Sequence, residues 1–188
     1  MSRTVNAHLF ASINGIVEDP NLWQFDAFGA EEGAFMGSSL AEVTDVVMGA
    51  ELWRQWSGFW ADNNDDFGAF INPVRKHVIG TSLADQAADG GLGWNSTLVT
   101  GDPIEYVTAL KDNGEAGRIA VVGGITTTRS LFVGGVIDAL TLTVHPVAAG
   151  AGRRLFDESV PTTRLRLLDS QITSTGNAML TYGLRPTD

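Results

Sequence analysis

Cysteine is absent from this chain of 188 residues, which excludes disulfides, thiolate metal sites and cysteine nucleophiles. Positive charge is scarce as well: 12 Lys and Arg stand against 22 Asp and Glu, a formal net charge of −10. Binding to nucleic acid needs a basic footprint, so that class of partner is excluded. A local pocket for one small phosphorylated ligand remains compatible with an acidic whole. No stretch approaches the ~20 consecutive apolar residues of a membrane span. The first residues lack the charged start and apolar core of a secretory signal, so a soluble cytoplasmic protein without a membrane partner is expected.

Common catalytic signatures are missing too. There is no G-x-S-x-G elbow, Walker-type loop, HExxH or complete G-x-G-x-x-G. His8, His77 and His145 lie far apart and share no metal-ligand spacing. The acidic run Asp62–Asn63–Asn64–Asp65–Asp66 lacks the glycine and terminal glutamate of a calcium loop. No metal is expected. Repeats and low-complexity segments are also absent.

What the chain does contain is ordinary for a well-cored globular domain: 44% hydrophobic and 18% charged residues. Its length suits one domain over residues 1–188. The most informative stretch is Ile119–Ala120–Val121–Val122–Gly123–Gly124–Ile125–Thr126–Thr127. A buried parallel strand reads as a near-continuous apolar run. Here such a run meets two glycines and then hydroxyl residues suited to a helix start. Glycine lets backbone N–H groups approach an anion at the positive end of a helix dipole. The pattern suits a phosphate cradle, and equally a tight turn with no ligand.

Periodicity orders the rest. Val5, Ala7, Leu9, Ala11 and Ile13 alternate with Asn6, His8, Phe10 and Ser12, a strand ending at Asn14–Gly15. A polar, aromatic loop with Pro20, Trp23 and Phe25 follows. Helical patterns cover about 30–43, 51–60, 103–111 and 127–132; strand patterns cover 46–48, 76–79, 96–100 and 118–122. Strand and helix in alternation argue for a mostly parallel sheet covered on both faces. The last third, over 139–147, 163–172 and 178–184, reads as antiparallel strands on one edge. Trp53, Trp56 and Trp60 share a helical face with Leu52 and Phe59. That face suits core or subunit packing, or the wall of a pocket for a planar ligand. The basic loop Gly150–Ala151–Gly152–Arg153–Arg154 suits a phosphate contact or plain surface chemistry.

Four blocks occur in order: Ser12–Ile13–Asn14–Gly15, Asp45–Val46–Val47–Met48–Gly49, Lys76–His77–Val78–Ile79 and Val121–Val122–Gly123–Gly124. Asp138–Ala139–Leu140–Thr141–Leu142 and the segment from Pro146 to Phe156 follow. Together they resemble the dihydrofolate-reductase-like family, and within it the reductase domain at the C-terminal end of the riboflavin-biosynthesis deaminase–reductase. The resemblance spans Val5 to Tyr182.

It implies a three-layer α/β fold that binds NADPH at the C-terminal ends of the central strands, with NADH also possible. Gly49 and Ala50 would form one phosphate-contacting turn, and Thr81 and Ser82 a second. Val122, Gly123, Gly124, Ile125, Thr126 and Thr127 would form the third. Asn14, Trp23, Phe25 and Trp53 would meet the substrate, and Asp26 would supply the proton, with Glu31 and Glu32 as alternatives. A homodimer is implied by relatives that pair.

Two departures stand out. The usual Gly-Arg-x-Thr is replaced by Gly49–Ala50–Glu51–Leu52, and the usual Ser-Leu-Asp-Gly by a turn with Asn14. The first removes a cation from the phosphate contacts, so weak discrimination between NADPH and NADH is expected. The paired-cysteine deaminase signature cannot exist in a chain without cysteine. The expected activity is hydride transfer to a C=N or C=O carbon of a small planar heterocycle. The alternative is a nucleotide- or flavin-binding protein without turnover.

Overall fold

Alternation along β1, Val5–Ser12, decides which layer each of its side chains enters, because successive side chains of a strand point to opposite faces. Val5, Ala7 and Ala11 join a buried cluster with Val107, Leu131 and Phe132. These come from α5, Pro103–Lys111, and α6, Ile125–Val133. Asn6, His8 and Phe10 face the other way, into a cleft.

In the computed structural model, which describes residues 2–25 and 27–185, one eight-stranded sheet has the order β4-β3-β2-β5-β1-β6-β8-β7. The remaining strands are β2, Val43–Gly49, β3, Arg75–Ile79, β4, Ser96–Val99, β5, Arg118–Gly123, β6, Ala139–His145, β7, Leu165–Ile172, and β8, Ala178–Leu184. β1 to β6 pair in parallel, whereas β8 pairs antiparallel with β6 and with β7. This is the mostly parallel sheet with antiparallel C-terminal strands that the sequence implies. Among the described residues no helix is long and apolar enough to cross a membrane.

The opposite face carries α1, Ala30–Leu40, α2, Ala50–Trp60, α3, Asp66–Ile71, and α4, Ala84–Ala88. Val46, Met48 and Val78 from the sheet pack there with Trp53, Ile71 and Leu83. α3 occupies part of what reads in sequence as an acidic loop. Asp65 caps it by accepting a hydrogen bond from the Gly68 N–H at 2.8 Å, so the acidic run serves a helix start. Among the described residues no cluster of His, Cys, Asp and Glu could hold a metal ion.

The N-terminal ends of the strands close on a buried charge. Asp45, fully buried on β2, accepts hydrogen bonds from Arg3 and, at 2.8 Å, from Arg75. His77 Nε2 lies 2.9 Å from its second oxygen, and His77 Nδ1 lies 2.8 Å from the Tyr106 hydroxyl. Burial pushes the Asp45 carboxyl up, but hydrogen bonds from His77, Arg3 and Thr44 outweigh it and hold it down at about 2. This accounts for His77 as a structural residue.

Candidate functional site

Three turns meet at the C-terminal ends of β3, β2 and β5, which are adjacent in the sheet. A Cβ placed on Gly124 would lie 3.3 Å from the Gly49 backbone, and one on Gly49 would lie 2.8 Å from Thr127 Oγ1. A Cβ on Gly80 would lie 2.7 Å from Ala50 Cβ. Gly124 has φ +80 and caps α6, while Gly49 caps α2; neither cap is closed by a side chain. First-turn N–H groups of both helices are therefore left for an anion. The expected contacts Gly49, Ala50, Gly123, Gly124 and Thr127 thus come together. Thr81 and Ser82 lie in a short 3-10 turn beside them, and Thr126 is exposed. Ile125 is partly buried against the α5/α6 layer.

Sequence reasoning missed one cation. Arg54, one helical turn beyond Ala50, donates to the Ser82 carbonyl at 2.9 Å and to Ser82 Oγ at 2.8 Å. It also pairs with Glu51 at 3.4 Å. The signal was the four-residue spacing from Ala50 on a helix, which places both residues on one face.

Beside these turns a cleft of about 670 Å³ opens between α1 and α2, floored by β1, β5 and β6. Val122, the residue before Gly123, lines it, so the cleft abuts the glycine turn. Phe10, Phe35, Trp56, Trp60 and Phe67 make it aromatic. Trp56 and Trp60 are the pocket-wall residues. Trp53, expected to meet the substrate, is instead buried and donates its Nε1–H to Ser96 Oγ at 2.9 Å. The helical period turns it toward the core side of α2.

The first loop is likewise built differently from the expectation. Asn14 Oδ1 accepts from Ser12 Oγ and from Ala149 N–H, while its Nδ2 donates to the Ala149 carbonyl at 2.8 Å. Its amide is spent on pinning the 146–154 loop. That loop is anchored further by an Arg153–Glu18 pair at 2.5 Å and by Arg154 donating to the Asn14 carbonyl. Trp23 is buried with Ile16 and Ala149 and donates to the Glu18 carbonyl. Phe25 is 76% exposed at φ 47. None of Asn14, Trp23, Phe25 or Trp53 lines the cleft among the described residues. Asp26 lies outside the described residues.

Neither alternative proton donor is free. Glu31 accepts from Ser174 N–H at 2.6 Å, and the Ser174 hydrogen bonds hold it below the usual carboxylate range. Glu32 is buried and accepts from Gly29 N–H, Asn177 Nδ2 and Thr175 Oγ1. Burial pushes its carboxyl up, but the hydrogen bonds of the 173–177 turn dominate and hold it at about 2. Glu32 therefore stays ionised at neutral pH and latches α1 to the β7–β8 turn.

Two histidines distant in sequence come close. His8 Nε2 lies 2.8 Å from Thr143 Oγ1 on β6, and Phe10 packs edge-on against both His8 and His145. Burial, reinforced by His145, pushes the His8 imidazole down to about 4. Burial also pushes His145 down, against an opposing pull from Glu32. The pleat and the β1–β6 register bring them together: Ser12 pairs with His145 and Phe10 with Thr143.

The fold is of the dihydrofolate-reductase-like class. More narrowly, the chain belongs to the RibD C-terminal domain family, whose profile matches residues 3–180. This is a reductase family that uses NADPH. In Bacillus subtilis the uncharacterized protein YyaP is 20% identical over 185 residues, covering 96% of this chain and 94% of that one. A Shewanella sp. PV-4 protein named for riboflavin biosynthesis superposes with a TM-score of 0.71 at 18% identity, over 99% of this chain and all of the other. A Thermotoga maritima protein is named as a diaminohydroxyphosphoribosylaminopyrimidine deaminase and 5-amino-6-(5-phosphoribosylamino)uracil reductase. It superposes with a TM-score of 0.66 at 12% identity, over 98% of this chain but 57% of its own length. The chain is thus similar to stand-alone relatives along their whole length and to one part of the longer enzyme.

Proposed function

We propose that the chain is a nicotinamide-nucleotide-dependent reductase, with NADPH as cofactor and NADH as a possible substitute, acting on a small planar heterocycle of pterin or flavin-precursor type. One observation carries this reading: the three converging glycine turns adjoin an aromatic cleft through Val122, the lining residue that precedes Gly123. The residues suit a dinucleotide because glycine at 49, 80 and 124 lets the three turns pack directly on one another, a Cβ there meeting protein atoms, and so gathers helix starts without side-chain caps where phosphates would sit. Gly49, Ala50, Thr81, Ser82 and the segment from Gly123 to Thr127 would hold its phosphates. When bound, it supplies the hydride. The protein's own part is to stack the acceptor ring, to exclude water and to hold the two reactants at near-attack distance. His8, neutral at physiological pH, can donate or accept a hydrogen bond in the cleft without bringing charge. Fluorescence titration with NADPH and NADH, followed by an oxidation assay with pterins, flavin precursors and quinones, tests the reading. Absence of nucleotide binding would overturn it.

The alternative of binding without turnover is favoured by Ala50, which stands where the Gly-Arg-x-Thr motif of the resemblance has arginine. Tight nucleotide binding with no oxidation across the substrate panel would select it.

We also propose a symmetric homodimer through β7. This edge strand is exposed along nearly its whole length, with Leu167, Leu168 and Ile172 at 52%, 42% and 70% exposure. An unpaired edge bearing apolar side chains invites strand pairing with a second copy. Light scattering at micromolar concentration should give twice the chain mass, and a monomer throughout would reject the proposal.

A further inference from the structure

The cofactor turns and the cleft differ in one chemical respect: the turns offer unpaired backbone donors to phosphate, whereas the cleft offers an anion almost nothing. We propose that the cleft takes an uncharged planar ring that bears no phosphate, read along one edge by Asn6 and His8. The proposal rests on the reductase reading of the same site.

The walls set the shape. A volume of about 670 Å³ lies within the ~300–1,000 Å³ usual for small-molecule sites. Phe10, Phe35, Trp56 and Trp60 present ring faces and edges to it. Aromatic walls favour flat, polarisable ligands through stacking and edge contacts.

The polar groups set the reading edge. Thr141 and Thr181 are bonded to each other at 2.8 Å, and Thr143 is taken by His8 Nε2. Among the described residues the Asn6 amide makes no side-chain hydrogen bond, and the second nitrogen of His8 makes none either. These two residues sit at alternate positions of β1, on one face and ~7 Å apart along the strand. That separation suits two heteroatoms along the edge of a fused two-ring heterocycle. A ligand that satisfied neither group would take from them the hydrogen bonds that water otherwise supplies.

Charge sets what is rejected. Among the described residues Arg118 is the one cation in the lining, at its edge and part exposed, with Glu42 paired to its Nε at 3.1 Å. Asp169 is the other charged residue there, an anion. A phosphate dianion moved into an apolar cleft needs an arginine or lysine free to meet it, and pays heavily for desolvation otherwise. With Glu42 and Asp169 both near, the local balance is negative.

Calorimetric titration of the intact protein without any nicotinamide nucleotide tests this. The probes are two matched pairs: neopterin with its phosphate ester, and riboflavin with FMN. At least one phosphate-free member is expected to bind in the micromolar range, tenfold or more tighter than its ester. Equal or tighter binding of the esters overturns the proposal, and so does failure of both phosphate-free rings to bind at millimolar concentration. His8→Leu should weaken the preferred ring at least fivefold while leaving NADPH affinity unchanged, and Asn6→Ala gives the same readout should the first variant fold poorly. An unchanged ring affinity in both would overturn the edge reading. The two proposals fail separately. Ring binding with no nucleotide binding removes the reductase reading alone, whereas NADPH oxidation that requires a phosphorylated ring removes this one alone.

Discussion

The two ends of the parallel strands solve opposite problems with opposite residues. At the N-terminal end, Asp45 is surrounded by Arg3, Arg75 and His77, and its carboxylate is fully hydrogen-bonded. At the C-terminal end, Gly49, Gly80, Gly123 and Gly124 bring backbone together and leave helix N–H groups without side-chain caps. One end satisfies its polar groups internally and gains stability from them. The other leaves helix-start donors without side-chain caps, as the proposed nucleotide site requires. In the same sheet the internally satisfied cluster and the proposed binding turns thus lie about one strand length apart.

The largest test breaks the closed end. Asp45→Ala leaves the buried Arg3 guanidinium without its carboxylate, and removing one partner of a buried pair costs ~3–5 kcal/mol. Chemical denaturation should show this loss, while nucleotide affinity of the folded fraction stays within twofold. A loss below about 1 kcal/mol would mean that the cluster is peripheral to stability.

Next in size is a pH effect that separates the cleft from that cluster. His8 titrates at about 4 in the folded protein against 6.5 as an ordinary value. The unfolded chain therefore binds the extra proton first, and stability falls as pH drops from about 6.5 to about 4, then levels off. The full effect is on the order of 3 kcal/mol. Asp45 and Glu32 act in the same sense over a lower pH window, because their folded values of about 2 lie below the ordinary carboxylate range. Their contribution is complete above about 4.5 and is lost as pH falls from there toward 2. Denaturation of His8→Leu across pH should lose most of the upper slope and keep the lower one.

Smaller effects probe the open end. Gly124→Ala places a Cβ 3.3 Å from the Gly49 backbone at a φ of +80, which strains the turn by about 1 kcal/mol. It should also obstruct the phosphate approach, lowering NADPH affinity at least tenfold, or ~1.4 kcal/mol. Full affinity in the folded variant would make this a ligand-free turn. Smallest is Arg54→Ala. If Arg54 stands in for the cation missing at position 50, NADPH affinity should fall three- to tenfold with NADH unchanged, a cost of about 1 kcal/mol for an exposed charge-assisted contact. Equal losses for both nucleotides would place Arg54 in turn architecture through Ser82 alone.

Of the open end, the glycine pair after the apolar run is legible locally, because a glycine turn needs no distant partner, whereas Gly49 and the Thr81–Ser82 turn are legible as phosphate contacts only through the family resemblance. Element limits shifted by a few residues: α1 stops at Leu40 and β2 starts at Val43. The cleft was less legible. The alternation of β1 is evident in sequence, yet that its Asn6–His8–Phe10 face lines a cleft follows only from the placing of β1 between β5 and β6. On a central strand both faces are covered, so polar residues there line a cavity.

Amino-acid order by itself determined the acidic, cysteine-free character of this protein, the alternation of strands and helices, and the glycine turns that suit an anion. Each depends on residues close along the chain, where sterics, helix period and strand pleat act directly. Tertiary structure alone decided that Trp56 and Trp60 face the cleft while Trp53 turns to the core. It alone joined Asp45 to residues 30 and 42 positions away, set His8 near His145, and spent Glu32 on the β7–β8 turn. Those outcomes follow from which strands become neighbours in the order β4-β3-β2-β5-β1-β6-β8-β7. That choice is made by burying whole apolar faces through long crossovers, a collective balance that no single local pattern encodes.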